Sequence, residues 1–369
     1  MAYTTIDDPS AHFQVKLYTG NGSSGNAQTY DGNSDLQPDM LWGKVRNATD
    51  SHVMWDSTRG VNKMFHPNTD LVEGTDGNGN LESFDSDGFT VGGNFYYANH
   101  ASNFVNWGWK ANGGTRTTNT ESGNNPAGGY QANTTAGFSI VDYTGTGAVG
   151  TMAHGLGAVP HFILFKARSE ASNDWAVYHH KNTSAPETDF LRLNEQDATT
   201  DNANFMNDTA PTSTVFTVST GSKVNTDTET YMAYVWTEIK GYSKFGHYTG
   251  TGHASESPFI WTGFRPGWIL IKNTANYYDW VLLDHKRPGY NIHSCRLKAH
   301  DTSVEYCGLL IDILSNGFKI RNLYLPDTFI QHGDVNDMYA QAGLNSENIV
   351  KLAMKALDIN NNEFKIIKS

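Results

Sequence analysis

Phe138-Ser-Ile-Val-Asp-Tyr-Thr-Gly-Thr-Gly147 decides how the rest of the chain reads, because the chain writes it three times. An earlier version is Phe13-Gln-Val-Lys-Leu-Tyr-Thr-Gly-Asn-Gly22 and a later one is Tyr242-Ser-Lys-Phe-Gly-His-Tyr-Thr-Gly-Thr-Gly252. Each begins as a short run of β-branched and aromatic residues, which predicts a strand. Each closes on Thr-Gly-x-Gly, a reversal in which glycine supplies the positive φ. A motif that returns about every hundred residues predicts an array of related domains.

Other landmarks keep the same order. Pro38 and Lys44, Pro160 and Lys166, and Pro266 and Lys272 stand at one common interval, and Phe89 to Trp109 equals Phe216 to Trp236. Between landmarks the apolar pieces are short and bounded by Gly, Asn or Asp, which is strand-and-turn punctuation. The reading is an all-β protein of tandem β-sandwich repeats, jelly-roll or lectin-like, with a short C-terminal amphipathic helix. The expected boundaries are a polar lead-in at 1–12, a first copy at 13–112 and a Gly/Thr/Asn-rich linker at 113–136. A second copy follows at 137–240, a third with a divergent end at 241–333, and a helix and tail at 334–369. In the helix, Ile349, Leu352, Ala353, Ala356 and Leu357 share an apolar side that either caps the third copy or docks in assembly.

Composition agrees with sandwiches: 36 Gly and 12% aromatics beside only 17% charged residues. A formal net charge of −12 argues against a protein that tracks phosphates or docks on anionic lipid, so neither nucleic acid nor membrane insertion is expected. No apolar run is long enough to span a bilayer, and no signal peptide is recognisable. Cys295 and Cys307 are too few for a disulfide framework and read as a reduced pair.

Lys44, Asp56 and Arg59 recur as Lys272, Asp284 and Arg287, but copy two carries Lys166, His179 and Asn182 there. That drift points to structure, with the lysines snorkelling over strand ends. Glu82, Asp85 and Asp87 resemble the carboxylate pair of a glycoside hydrolase, yet they end in Asp-Gly, a turn signature. Asp76-Gly-Asn78-Gly-Asn80 and Asp358-Ile-Asn360-Asn-Asn362 alternate oxygens as calcium loops do, without the glycine and glutamate such loops require. His154, His161, His179 and His180 lack close metal-ligand spacing. No catalytic residues, metal or cofactor are therefore expected. Aromatic residues in turn-rich stretches are the remaining surface candidates, because rings stack on the apolar faces of sugars. These are Tyr30, Tyr96, Tyr97, Tyr277 and Tyr278; Trp107, in an alternating strand, reads as core.

The combined pattern is Phe-x-x-x-x-Tyr-Thr-Gly-x-Gly, Pro-x-x-x-x-x-Lys, Asp-Gly-Phe-Thr-Val and a closing Trp/Tyr strand. It resembles virion structural proteins of marine tailed bacteriophages, such as cyanophages and pelagiphages. The opening Met1-Ala-Tyr-Thr-Thr-Ile-Asp-Asp-Pro-Ser10 and the join Gly241-Tyr-Ser-Lys-Phe-Gly246 carry that likeness further. The resemblance covers about Met1 to Leu323 and implies tandem β-sandwiches on the virion surface, in a tail fibre, spike or capsid decoration. It implies other virion proteins as partners, a host-surface glycan as a possible ligand and, by analogy with such appendages, a homo-oligomer, as a trimer. The alternatives are a purely structural decoration protein without a receptor, and a lectin-like glycan depolymerase. The departure is at the C-terminus, where Asp334 onward replaces the family's closing strand.

Overall fold

The computed structural model describes residues 4–77, 79–252, 258–287 and 295–307. The chain divides into two compact units, Met1–Tyr306 and Cys307–Ser369; the architecture below is that of the first. The C-terminal helix with Ile349, Leu352, Ala353, Ala356 and Leu357, and the second calcium-like run at 358–362, lie outside the described residues.

Copy one contains β1 (Phe13–Thr19), β2 (Asn26–Gln28), β3 (Met40–Val45), β4 (Val53–Asp56), β5 (Lys63–Met64), β6 (Gly74–Thr75), β7 (Leu81–Asp85), β8 (Gly88–Val91) and β9 (Asn103–Trp109). Its main sheet runs β1-β9-β3-β4 and its second sheet β2-β8-β7. All described ladders are antiparallel, and β3 lies between β9 and β4 with Trp42 opposite both Trp107 and Met54. The two sheets enclose Tyr30, Leu41, Val53, Trp55, Leu81, Phe89 and Val91.

Copy two contains β10 (Thr117–Asn119), β11 (Gly128–Asn133), β12 (Phe138–Thr144), β13 (Gly150–Ala153), β14 (Phe162–Ala167), β15 (Ala176–His179), β16 (Asp189–Arg192), β17 (Thr200–Asp201), β18 (Val215–Val218), the single helical turn α1 (Ser222–Asn225) and β19 (Thr230–Trp236). The order β12-β19-β14-β15 repeats that of copy one, and β13-β18 is the second sheet. Val141, Ile163, Phe165, Phe216, Val218 and Tyr231 fill the space between. The expected linker at 113–136 is instead a hairpin. Its strand β11 pairs with β12 from Gly128↔Tyr143 to Asn133↔Phe138, extending the sheet to eight strands. Its polar side chains are used as fasteners: Gln131 donates to Ser57 Oγ at 2.9 Å and Thr58 Oγ1 at 2.6 Å, and Asn133 donates to Lys110 O at 3.1 Å.

Copy three contributes β20 (Trp268–Ile271), β21 (Val281–Asp284), β22 (Cys295–Lys298) and β23 (Tyr306–Cys307), hydrogen-bonded in that order. The stretch 242–252, expected as a third opening strand, forms turns and coil. In copies one and two the opening strand is held by the closing one, and the corresponding part of copy three is outside the described residues. Neither cysteine is reduced: Cys295 and Cys307 are both disulfide-bonded, on the neighbouring strands β22 and β23.

The alternation of strand side chains explains how the three copies become one body. In copies one and two the face of the main sheet that points away from the second sheet is also apolar, and the described sheet of copy three packs against those faces. Met40, Trp42 and Trp107 of copy one, Phe138, Leu164 and Tyr234 of copy two, and Trp280, Leu282 and Leu297 of copy three meet in one shared core. Sheets covered on both sides lose the polar half of the alternation, and β3 and β4 are accordingly buried at every position.

Candidate functional site

The recurring polar positions of the three copies meet where the copies touch. Trp175 Nε1 of copy two donates to His66 O of copy one at 3.2 Å, and Trp280 Nε1 of copy three donates to Arg192 O of copy two at 2.7 Å. His52 stands at the matching place in copy one, with Nε2 at 3.0 Å from Lys298 O of copy three. Backbone bonds follow the same rotation: Glu73 N to Arg168 O, Thr199 N to Thr274 O and Glu305 N to Arg46 O, at 2.9, 2.9 and 2.7 Å. Copy two therefore grips copy one, three grips two, and one grips three. That is a closed ring with threefold pseudosymmetry, made within one chain.

The recurring lysines belong to these seams. Lys44 donates to Val45 O at 2.8 Å and to Thr302 O of copy three at 3.4 Å. Lys166 donates to Asn173 O at 2.6 Å and to Asp70 O of copy one at 3.2 Å. Lys272 donates to Tyr278 O and to Gln196 O of copy two, each at 2.7 Å. They do not snorkel: Lys44 and Lys166 are fully buried, because backbone carbonyls stand where water was expected. Burial pushes both ammonium groups down to about 8.

The charged positions lock two of the seams. Asp56 and Arg59 form a fully buried pair at 2.5 Å, and the Tyr234 hydroxyl of copy two donates to Asp56 at 2.7 Å. Arg59 also lies 3.9 Å over the Phe65 ring. Asp284 and Arg287 repeat the pair at 2.6 Å, with Trp107 Nε1 of copy one donating to Asp284 at 3.1 Å. Glu73 with Arg168 at 2.8 Å and Glu305 with Arg46 at 2.8 Å extend the networks across the same two seams. Copy two has neutral groups instead, with Thr199 Oγ1 donating to Asn182 Oδ1 at 2.7 Å. The drift between copies is thus a difference between seams.

The other sequence candidates separate. Glu82 accepts from Ser24 Oγ and Gly25 N, Asp85 from Ser83 and Thr90, and Asp87 from Leu36 N. Each carboxylate holds the β7–β8 hairpin or its neighbours. Asp76 accepts from the backbone and side chain of Asn80, so it closes its own loop; Asn78 is not among the described residues. His154 sits apart against Thr212 O at 3.2 Å, whereas His161, His179 and His180 gather around Phe245. Among the described residues the group with metal-ligand spacing is Cys295, Glu305 and Cys307; both sulfurs are disulfide-bonded and offer no thiolate. An open groove of about 330 Å³ is bordered by Arg116, Asp142 and Arg168. Arg116 is held bidentately by Asp142, and Arg168 by Glu73.

The five tyrosines do not form one site. Tyr30 is only 6% exposed and belongs to the interior of copy one, where the second sheet covers it. Tyr97 is packed on His66 with ring centroids 4.9 Å apart, and Tyr96 stacks on His100 at 3.9 Å. Tyr277 and Tyr278 are 64% and 60% exposed. Their loop is nevertheless fixed: Lys272 and Gln196 hold the two ends of the Tyr278 peptide, and Asn273 Oδ1 accepts from Ala275 N and Asn276 N at 2.9 and 3.0 Å. Sequence reasoning passed over Phe259 and Trp261, which are 84% and 73% exposed. The signal was present in Pro258-Phe-Ile-Trp-Thr262, an apolar run outside the landmarks shared by the copies.

Fold and seams together define a single-chain ring of three antiparallel β copies, two of them sandwiches among the described residues, with a pinned aromatic loop. The chain belongs to the DUF7483 family, a domain of unknown function whose family model matches residues 8–328. The matched span contains all the described copies and their seams. No solved structure matches the chain.

Proposed function

We propose that this chain is a non-enzymatic structural protein of a tailed-bacteriophage particle, displayed as a tail fibre, spike or capsid decoration, that contacts host-surface glycan. The virion setting rests on the motif resemblance. The glycan contact rests on one observation: Tyr277 and Tyr278 are both more than half exposed on a loop pinned at both ends. Tyrosine offers a large amphipathic face with little rotamer entropy to lose, and pre-ordering the loop lowers the cost of binding further. A binding role, not hydrolysis, is supported by the carboxylates of the β7–β8 hairpin, which are all engaged in holding it.

The test is binding of the purified chain to an array of polysaccharides from host envelopes. Tyr277→Ala with Tyr278→Ala is expected to weaken binding by about 5- to 150-fold, since two ring contacts at about 0.5–1.5 kcal/mol each sum to about 1–3 kcal/mol. Tyr96→Ala should leave binding unchanged. Absence of glycan binding by the parent, with antibody label over the particle head, would favour a decoration protein without a receptor. Chain shortening of a bound polysaccharide would favour the depolymerase.

A further inference from the structure

We propose that His161, His179 and His180 form an acid-released latch on the segment that joins copies two and three. The three imidazoles come from different places: His161 precedes β14, His179 ends β15 and His180 follows it. His161 and His180 meet edge to face with centroids 4.4 Å apart, and His179 lies 5.4 Å from His180. Phe245, carried by the joining segment, sits among them, stacked with His161 at 6.3 Å and with Phe162 at 6.0 Å. Its carbonyl lies 3.0 Å from His180 Nε2.

The bonds accepted by His161 and His179 require neutral rings, whereas His180 donates to Phe245 O in either state. Nδ1 of His161 accepts from Glu238 N at 2.9 Å, and Nδ1 of His179 accepts from Lys181 N at 3.1 Å. An imidazolium has no acceptor nitrogen, so protonation breaks each bond outright. Lys181, Lys244 and His247 add positive potential that opposes a charge, while Glu238, paired with Lys244 at 2.8 Å, acts the other way on His161 and His180. Burial is the largest cause holding all three rings below their ordinary range, with His179 down at about 4. The sign follows from linkage: between about 6.5 and 4 the released rings bind more protons than the latched ones, so acid favours release. His179 stands where the other copies have Asp56 and Asp284, each in a buried pair with Arg59 or Arg287. At that position copy two has an imidazole where the other copies have an ion-paired carboxylate.

Hydrogen exchange of the full chain at pH 7.5 and 5.0, corrected for the intrinsic effect of pH on exchange, tests the latch. Peptides covering 239–247 should lose protection at least tenfold at pH 5.0, while β12 peptides keep theirs. His161→Asn with His179→Asn keeps a carbonyl acceptor for Glu238 N and Lys181 N and removes the two rings whose bonds protonation breaks, leaving His180 to donate to Phe245 O. Its protection over 239–247 should be equal at both pH values. No loss in the parent, or the same loss in the double variant, overturns the proposal. If the double variant does not fold at pH 7.5, Phe245→Ala replaces it. Low protection at both pH values is then expected, and a remaining tenfold acid effect overturns the latch.

Discussion

Lys166 shows how a single residue carries the seam between copies one and two. Its ammonium is taken out of water and placed against Asp70 O and Asn173 O. Lys166→Met would relieve the desolvated charge but leave both carbonyls without their donor, a loss of about 1–3 kcal/mol. The variant should also change the pH dependence. Burial holds Lys166 at about 8, against an ordinary 10.5. Between those values the unfolded chain binds more protons than the folded one, so stability rises with pH by up to about 1.4 kcal/mol per pH unit per lysine. Below about 8 both states are protonated and the slope vanishes. Urea unfolding at pH 7.5 and 9.5 should show a larger gain for the parent than for Lys166→Met; equal gains would mean that Lys166 does not titrate there. The recurrence of this lysine was legible in the sequence, but its role was not. Spacing along one copy says nothing of the carbonyl that another copy brings to it.

At the scale of the element, the Thr-Gly-x-Gly turn is where sequence and structure agree best. A side chain at Gly20 would run into His100 O, and one at Gly145 into Thr226 O, so the close approach demands glycine. What completes the turn is a buried asparagine. Asn99 accepts from Asn21 N at 3.0 Å and Asn225 from Thr146 N at 2.8 Å, while Asn225 Nδ2 donates to Ala148 O at 2.6 Å. Asn225→Ala strands that N–H and that carbonyl, and its urea midpoint should fall by the equivalent of about 1–3 kcal/mol. Ser213→Ala, at an exposed loop position with ordinary backbone geometry, serves as the control and should stay within about 0.5 kcal/mol of the parent. Equal effects would show that the clamp contributes nothing. Asn99 and Asn225 were invisible beforehand because they sit in Asn- and Thr-rich stretches that resemble any exposed turn. The β10–β11 hairpin was missed for the same reason: Gly128-Gly-Tyr-Gln-Ala-Asn133 has little apolar periodicity, and its order comes from pairing with β12 and from Gln131 and Asn133 reaching copy one.

At the scale of the whole molecule, the ring changes what a repeat means. In an open array each domain has its own core and unfolds by itself. Here the main sheets have a second apolar face, and Trp42, Trp107, Tyr234 and Leu282 are buried only because another copy lies against them. The threefold order expected from three chains is also available inside one, so the isolated protein should run at the mass of one chain, 40.7 kDa. Its tryptophan fluorescence and far-ultraviolet circular dichroism should follow a single urea transition, because removing one copy opens two seams at once. A chain ending after residue 240 keeps both complete sandwiches but loses Trp280, Leu282 and Leu297 from the shared core. Exposing the facing side of β14, β15 and β19 should make that shortened chain self-associate and unfold at lower urea. A monomeric 1–240 chain with the parent's urea midpoint would show instead that each sandwich stands alone, and that the seam contacts are incidental to stability.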